Sequence, residues 1–132
     1  MWNSRILLAT DGSTHSAAAG EAATAMARQC GLPVTAVSAT TRSHSEERKT
    51  EARAAVEAVA ASLGRAGISC DVTVAEGRPD EVVIETAAAR HADLIVVGSH
   101  GRTGLVRLFL GSVSERIMGQ AQCPVLVVRA GE

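Results

Sequence analysis

Aromatic residues are almost missing from this 132-residue chain, which has one Trp, one Phe and no Tyr. Trp2 and Phe109 cannot supply a row of stacking platforms, so the chain lacks the usual equipment for holding single-stranded nucleic acid. A basic excess is missing too: 13 Lys and Arg face 14 Asp and Glu, a net charge of −1. General binders of nucleic acid or anionic membranes carry a surplus of positive charge. Lys49 is the only lysine, and no GxxxxGK[ST] run occurs, so a Walker A phosphate loop is excluded. The three cysteines, Cys30, Cys70 and Cys123, are odd in number and far apart, with no CxxC pair and no Cys/His spacing suited to zinc. They are expected as small residues packed in or near the core of a reduced protein. No apolar run approaches the roughly 20 residues of a membrane span. Met1-Trp2-Asn3-Ser4-Arg5 has no signal-peptide layout. The expectation is a cytoplasmic domain that binds neither nucleic acid nor membrane.

What is present is a repeated alternation. Hydrophobic residues make up 46% and charged residues 20%, a globular balance. Strand-length apolar runs fall at Arg5–Thr10, Pro33–Ala39, Ile68–Ala75, Asp93–Gly98 and Pro124–Arg129. Helical patterns lie between them. Ala19, Ala22, Ala23, Met26, Ala27 and Cys30 share one face by spacings of three and four. Gly31 then stands where a C-cap glycine belongs. Ala52, Ala55, Val56, Val59, Ala60 and Leu63 mark a second helix, which Gly64 and Gly67 end. A third opens at Gly77-Arg78-Pro79, with Asp80 and Glu81 suited to the positive end of its dipole. His91 is expected in its last turn. A fourth helix runs from about Ser112 to Gln122. Strands apolar on consecutive residues, alternating with helices, indicate a parallel sheet covered on both faces. The predicted fold is α/β: residues 1–132 as a single doubly wound domain, a five-stranded parallel sheet of order 3-2-1-4-5 with helices on both faces.

Such sheets bind ligands beyond the carboxyl ends of their strands, where the strand order reverses. In the order 3-2-1-4-5 that point lies between strands one and four. Two unusual loops leave those strands, Thr10-Asp11-Gly12-Ser13 and Gly98-Ser99-His100-Gly101-Arg102. The second belongs to a longer pattern: Gly98-x2-Gly101, nine residues, then Gly111-Ser112-Val113-Ser114. Glycine lets backbone N–H groups approach a ligand closely, and a helix start at Gly111-Ser112 favours an anion. Together they form a two-sided phosphate cradle. Ser112 and Glu115 also make an S-x-x-E capping box, so Ser112 has a structural use compatible with the first. Gly98 can simply end a strand, and Asp11 can simply form a turn before Gly12.

These residues resemble the universal stress protein family, in its ATP-binding branch. Ile6-Leu7-Leu8-Ala9-Thr10-Asp11-Gly12-Ser13, Asp93-Leu94-Ile95-Val96-Val97-Gly98-Ser99-His100-Gly101 and Cys123-Pro124-Val125-Leu126-Val127-Val128 carry the resemblance, in that order along the chain. It implies that Ala9, Thr10 and Asp11 lie along an adenine nucleotide, with Asp11 near the ribose or a phosphate-bound Mg²⁺. Val37 matches the position whose backbone meets the adenine edge. Gly98, His100, Gly101 and Arg102 would wrap ribose and phosphates, and Gly111, Ser112, Val113 and Ser114 would hold the phosphate tail. The implied ligand is ATP, with ADP or AMP as alternatives, and the implied role is stress-linked regulation. The connection from Thr40 to Glu46 is shorter than in many members of that family.

The resemblance also implies a homodimer joined through the fifth strand. Val125, Leu126, Val127 and Val128 support this separately, because an edge strand this apolar invites a partner. Two other function classes stay open on the residues alone. A slow ATPase or nucleotidyl transferase would draw on His15, His100 or Asp11, none of which has an evident catalytic partner in sequence. A pure interaction module would need no glycine signature. Residues 102–110, rich in apolar side chains, suit either a lid or a short helix, and Arg107 is placed to reach phosphate or solvent.

Overall fold

A computed structural model of the chain describes residues 4–11, 14–98 and 112–129, with the side chains of 14–16 outside that description. Five strands alternate with four helices: β1 (Ile6–Ala9), α1 (Thr14–Cys30), β2 (Val34–Thr40), α2 (Glu46–Arg65), β3 (Cys70–Glu76), α3 (Pro79–Ala89), β4 (Leu94–Gly98), α4 (Ser112–Gln120) and β5 (Val125–Val128). All pairings are parallel, and the sheet order is β3-β2-β1-β4-β5. The expected fold class is therefore the one found. Strand limits move by one or two residues, and β3 starts at Cys70 because Ile68 is taken up closing α2 through its N–H to the Leu63 carbonyl.

Alternation along the strands builds two cores. Ile6 and Leu8 of β1, Val34 of β2, and Leu94 and Val96 of β4 face α1 and α2. Leu7, Val37, Ile95 and Val97 point the other way, onto α3 and α4. Residues of β1, β2 and β4 are buried on both faces, which is why these strands read as continuous apolar runs. Alanine lets α1 lie close to the sheet: Ala19, Ala23 and Ala27, four apart, are all at most 1% exposed. That stripe ends at Ala27, so Cys30 is exposed at the end of α1, contrary to the expectation for it. Cys70 and Cys123 are half-buried against the two cores. Burial pushes both thiols up, and the neighbouring charges of Asp71 for Cys70 and Asp93 for Cys123 add to it.

The helix ends follow the local signals in most cases. Gly31 and Gly67 take positive φ at the ends of α1 and α2. Ser45 caps α2 by accepting from the Arg48 N–H at 3.1 Å. Pro79 opens α3 as anticipated. Asp80 stands in the first turn, as its suitability for the helix dipole implies, and is 1% exposed and held by Arg78 through two hydrogen bonds of 3.0 and 3.3 Å. His91 lies just beyond α3 rather than in its last turn, with φ +56°. It fills the left-handed position that closes the helix, with Ala92 N–H bonded to the Ala87 carbonyl at 2.9 Å.

A polar cluster sits near the amino ends of the strands, on the α3 side. The Asp71 carboxylate takes hydrogen bonds from Thr35 at 2.7 Å and Arg5 at 3.1 Å, and pairs with Arg90. Arg90 also reaches Thr73 Oγ1 at 3.0 Å. Partial burial of Asp71 would raise its carboxyl, but the Thr35 and Arg90 hydrogen bonds and the two guanidinium charges outweigh this and hold it below the ordinary carboxylate value.

Candidate functional site

The opposite, carboxyl end of the sheet carries those predicted residues that the structure describes. The β1–β2 register pairs Ala9 with Val37, and the β1–β4 register pairs Leu8 with Val96. Carried one step past β1, Thr10 stands level with Ser38 on one side and Gly98 on the other. Thr10 N–H donates to the Val37 carbonyl at 3.0 Å, and Thr10 is buried. Val37 itself is a core residue at 0% exposure, with its carbonyl engaged in that bond. Ser38, Ala39 and Thr40, which follow it, line the open wall.

That wall belongs to a small, open cleft lined by Asp11, Ser38, Ala39, Thr40, His44, Arg48 and Ala52. Each residue reaches it for a local reason. Asp11 stands two residues past the end of β1. Thr40 is fixed at the last position of β2, where its carbonyl accepts from Gly77 N–H at 2.8 Å. Gly77 has φ +148°, and a Cβ there would stand 3.2 Å from a Val82 methyl, so the turn into α3 needs glycine. His44 is aimed by a reciprocal pair of bonds: its N–H donates to the Thr41 carbonyl, and Thr41 N–H donates to His44 Nδ1, both at 3.1 Å. An imidazole that accepts at Nδ1 carries its proton on Nε2.

Sequence reasoning missed His44 and Arg48. The short Thr40–Glu46 connection is the signal that could have found them: a tight turn after β2 places the first turn of α2 directly over the strand end.

On the other side of β1, Ser114 Oγ donates to the Gly98 carbonyl at 2.7 Å, and Ser114 is buried. The two ends of the glycine pattern are thus tied together: the last residue of β4 and the first turn of α4. Ser112 is the first residue of α4 and is exposed, and Val113 is half-buried against the α3–α4 core. His100, Gly101, Arg102 and Gly111 lie outside the described residues, as do residues 102–110 and the His15 side chain. Among the described residues no group of three His, Cys, Asp or Glu stands close enough to hold a metal ion by itself. A lone Asp11 fits a Mg²⁺ that arrives coordinated by phosphates, since Mg²⁺ commonly takes only one or two protein carboxylates.

A doubly wound order of 3-2-1-4-5 with a polar cleft at the carboxyl end of its sheet is shared by several families, and comparison with known proteins separates them. Residues 3–129 match the universal stress protein family. The chain belongs to the universal stress protein family. A universal stress protein of Thermus aquaticus is 36% identical over 135 aligned positions, covering 94% of this chain and 97% of the other. A second family member, from Methanocaldococcus jannaschii, is 42% identical over 85 positions, 64% of this chain. The chain spans 50% of that relative's length and 57% of that of a Synechocystis relative.

Among solved structures of this family, protein MJ0577 of Methanocaldococcus jannaschii superimposes with a TM-score of 0.87 at 26% identity, covering 100% of this chain and 99% of that one. A universal stress protein of Archaeoglobus fulgidus solved with dAMP has a TM-score of 0.78 at 21% identity, covering 97% and 99%. Another, solved with cAMP, has a TM-score of 0.80 at 22% identity, covering 99% and 100%. At those identities the last two establish the shared fold.

Proposed function

We propose that this universal stress protein is a cytoplasmic, stress-associated regulatory module that binds an adenine nucleotide, ATP foremost, at the carboxyl end of its sheet. The observation that carries the reading is the placement of Asp11, the β2 end and the Ser114–Gly98 tie at one end of the sheet, on the two sides of β1. Family members of the same fold that hold dAMP and cAMP support an adenine ligand. Among the described residues no helix is long and apolar enough to cross a membrane.

In this reading the phosphates lie along Gly98, Gly101, Gly111 and Ser112, with His100 and Arg102 beside them. Val113 and Ser114 follow in the first turn of α4, the end of a helix where N–H groups favour negative charge. Ala9, Thr10 and Asp11 run beneath the ribose, and Asp11 meets a phosphate-held Mg²⁺. Val37 and the residues after it flank the adenine. The Mg²⁺ would neutralise charge on the phosphates, while the chain itself supplies backbone donors, hydroxyls and one carboxylate. This set is suited to binding and contains no assembled acid–base pair among the described residues.

We further propose that β5 pairs with a second copy of the chain. It is the outer strand of the sheet, and all four residues from Val125 to Val128 are only half-buried within one chain. Sizing at micromolar concentration should give a dimer.

Titration calorimetry with Mg-ATP, ADP and AMP tests the site. Replacing Gly101 and Ser112 with bulky residues should abolish binding and leave the chain folded. Unchanged affinity in that double variant would contradict the assignment.

A further inference from the structure

The cleft beside Asp11 carries two donor groups to which the reading above gives no task. His44 and Arg48 both line it. Nδ1 of His44 is occupied by Thr41 N–H, and among the described residues Nε2 has no partner. The Arg48 guanidinium likewise has no ion pair or hydrogen bond among them. The backbone that presents both groups is itself bonded in place. The Thr41–His44 turn is closed by two bonds, Thr41 and Ser43 share a third at 2.8 Å between their hydroxyls, and Ser45 fixes the first turn of α2 that bears Arg48.

We propose that this turn is a base clamp, in which His44 donates its Nε2–H to a ring nitrogen of a bound purine while Arg48 lays its guanidinium over the ring. The inference rests on the nucleotide-binding reading and adds to it the residues that recognise the base. Two observations favour a base over a phosphate as what they meet. The anion-favouring groups, Gly98 and the start of α4, lie on the β4 side of β1, whereas His44 and Arg48 lie beyond β2. A nucleotide crossing β1 with its phosphates at α4 therefore ends with its base at this turn. The chain is also nearly devoid of aromatic rings, so an imidazole and a guanidinium are the planar groups at hand to cover a purine.

The donor pattern has a chemical consequence. A neutral imidazole Nε2–H needs an acceptor, which purine ring nitrogens provide and a ribose–phosphate lacking a base does not offer at that position. His44 and Arg48 should therefore contribute to adenosine and AMP binding equally, and nothing to binding of ribose 5-phosphate.

Titration calorimetry of the whole chain against adenosine, AMP and ribose 5-phosphate tests this, using His44→Ala, His44→Phe, Arg48→Ala and Arg48→Lys. His44→Ala and His44→Phe should each weaken adenosine and AMP by about tenfold, the size of one lost hydrogen bond to a ligand, since phenylalanine keeps a ring but has no donor. Arg48→Ala should cost about fivefold, and Arg48→Lys nearly as much because the plane is lost while the charge stays. Ribose 5-phosphate should bind all variants as it binds the parent. Full affinity in His44→Phe, or a loss confined to AMP and ribose 5-phosphate, would overturn the clamp and leave nucleotide binding standing. A parent chain that binds neither adenosine nor AMP would overturn the nucleotide reading and the clamp with it. Unchanged melting temperatures across the four variants separate all these results from misfolding.

Discussion

The hydroxyl of Ser114 donates a 2.7 Å hydrogen bond to the carbonyl of Gly98, sixteen residues earlier in the chain. This one contact joins β4 to the first turn of α4 and so sets where that helix begins relative to the sheet. It also satisfies a carbonyl at the end of a strand whose neighbours are buried.

Ser114→Ala should therefore act on stability and on ligand binding together. Loss of a partly buried hydrogen bond that leaves its acceptor unpaired costs about 1–2 kcal/mol, visible as a lower denaturant midpoint. On the proposed function, nucleotide affinity falls as well, because α4 is no longer anchored. A variant as stable as the parent would show that the bond contributes nothing to placing the helix.

Asp71 gives the fold a specific acid sensitivity. Its carboxyl is held below the ordinary value by Thr35, Arg90 and Arg5, so the charged form is favoured in the native state. That stability is fully present above the unfolded carboxylate value, near 3.9, and is lost as the pH falls through the lower native value. Asp71→Asn should be less stable at neutral pH by about 1 kcal/mol or less, given the exposure of the cluster. Its melting temperature should also fall less than the parent's between pH 5 and pH 3. Parallel curves for parent and variant would show that Asp71 has no such role.

His91 occupies a left-handed backbone position, φ +56°, that glycine takes without steric cost. His91→Gly should stabilise the chain by about 0.5–1 kcal/mol, raising the melting temperature a few degrees. A fall on substitution would mean that the imidazole makes compensating contacts.

The three cysteines should separate by reactivity. Cys30 is exposed at the end of α1, whereas burial raises the thiols of Cys70 and Cys123 and so depletes the reactive thiolate. Brief alkylation of the native protein at neutral pH, read by peptide mass spectrometry, should label Cys30 first. Labelling of Cys70 or Cys123 at the same rate would contradict the packing described for β3 and for the turn before β5.

The parts of this molecule legible in its sequence are those fixed by local periodicity and by glycine or proline. Leu94–Val97 and Ile6–Leu8 read as doubly covered strands because both faces of those strands are in fact buried. Gly31 and Pro79 stand at the helix ends their backbone chemistry suits. Contacts made by register were not legible. Nothing near Asp71 in sequence announces Arg5, 66 positions away, or Thr35, 36 positions away, which meet it only once three parallel strands align. Asp80 reads in sequence as a partner of the helix dipole, whereas its burial comes from packing that its neighbours along the chain do not announce. His44 was passed over for a similar reason: a lone histidine in a polar connection carries no pattern, and its orientation comes from its two bonds with Thr41.

Acid extraction of freshly purified protein, with mass spectrometry of whatever is released, tests the central claim most directly. The account predicts an adenine nucleotide, ATP foremost, in near-stoichiometric amount, or uptake of added Mg-ATP by a chain purified empty. No nucleotide released, and none bound on adding Mg-ATP, would contradict it and leave the glycines as turns in a protein-interaction module.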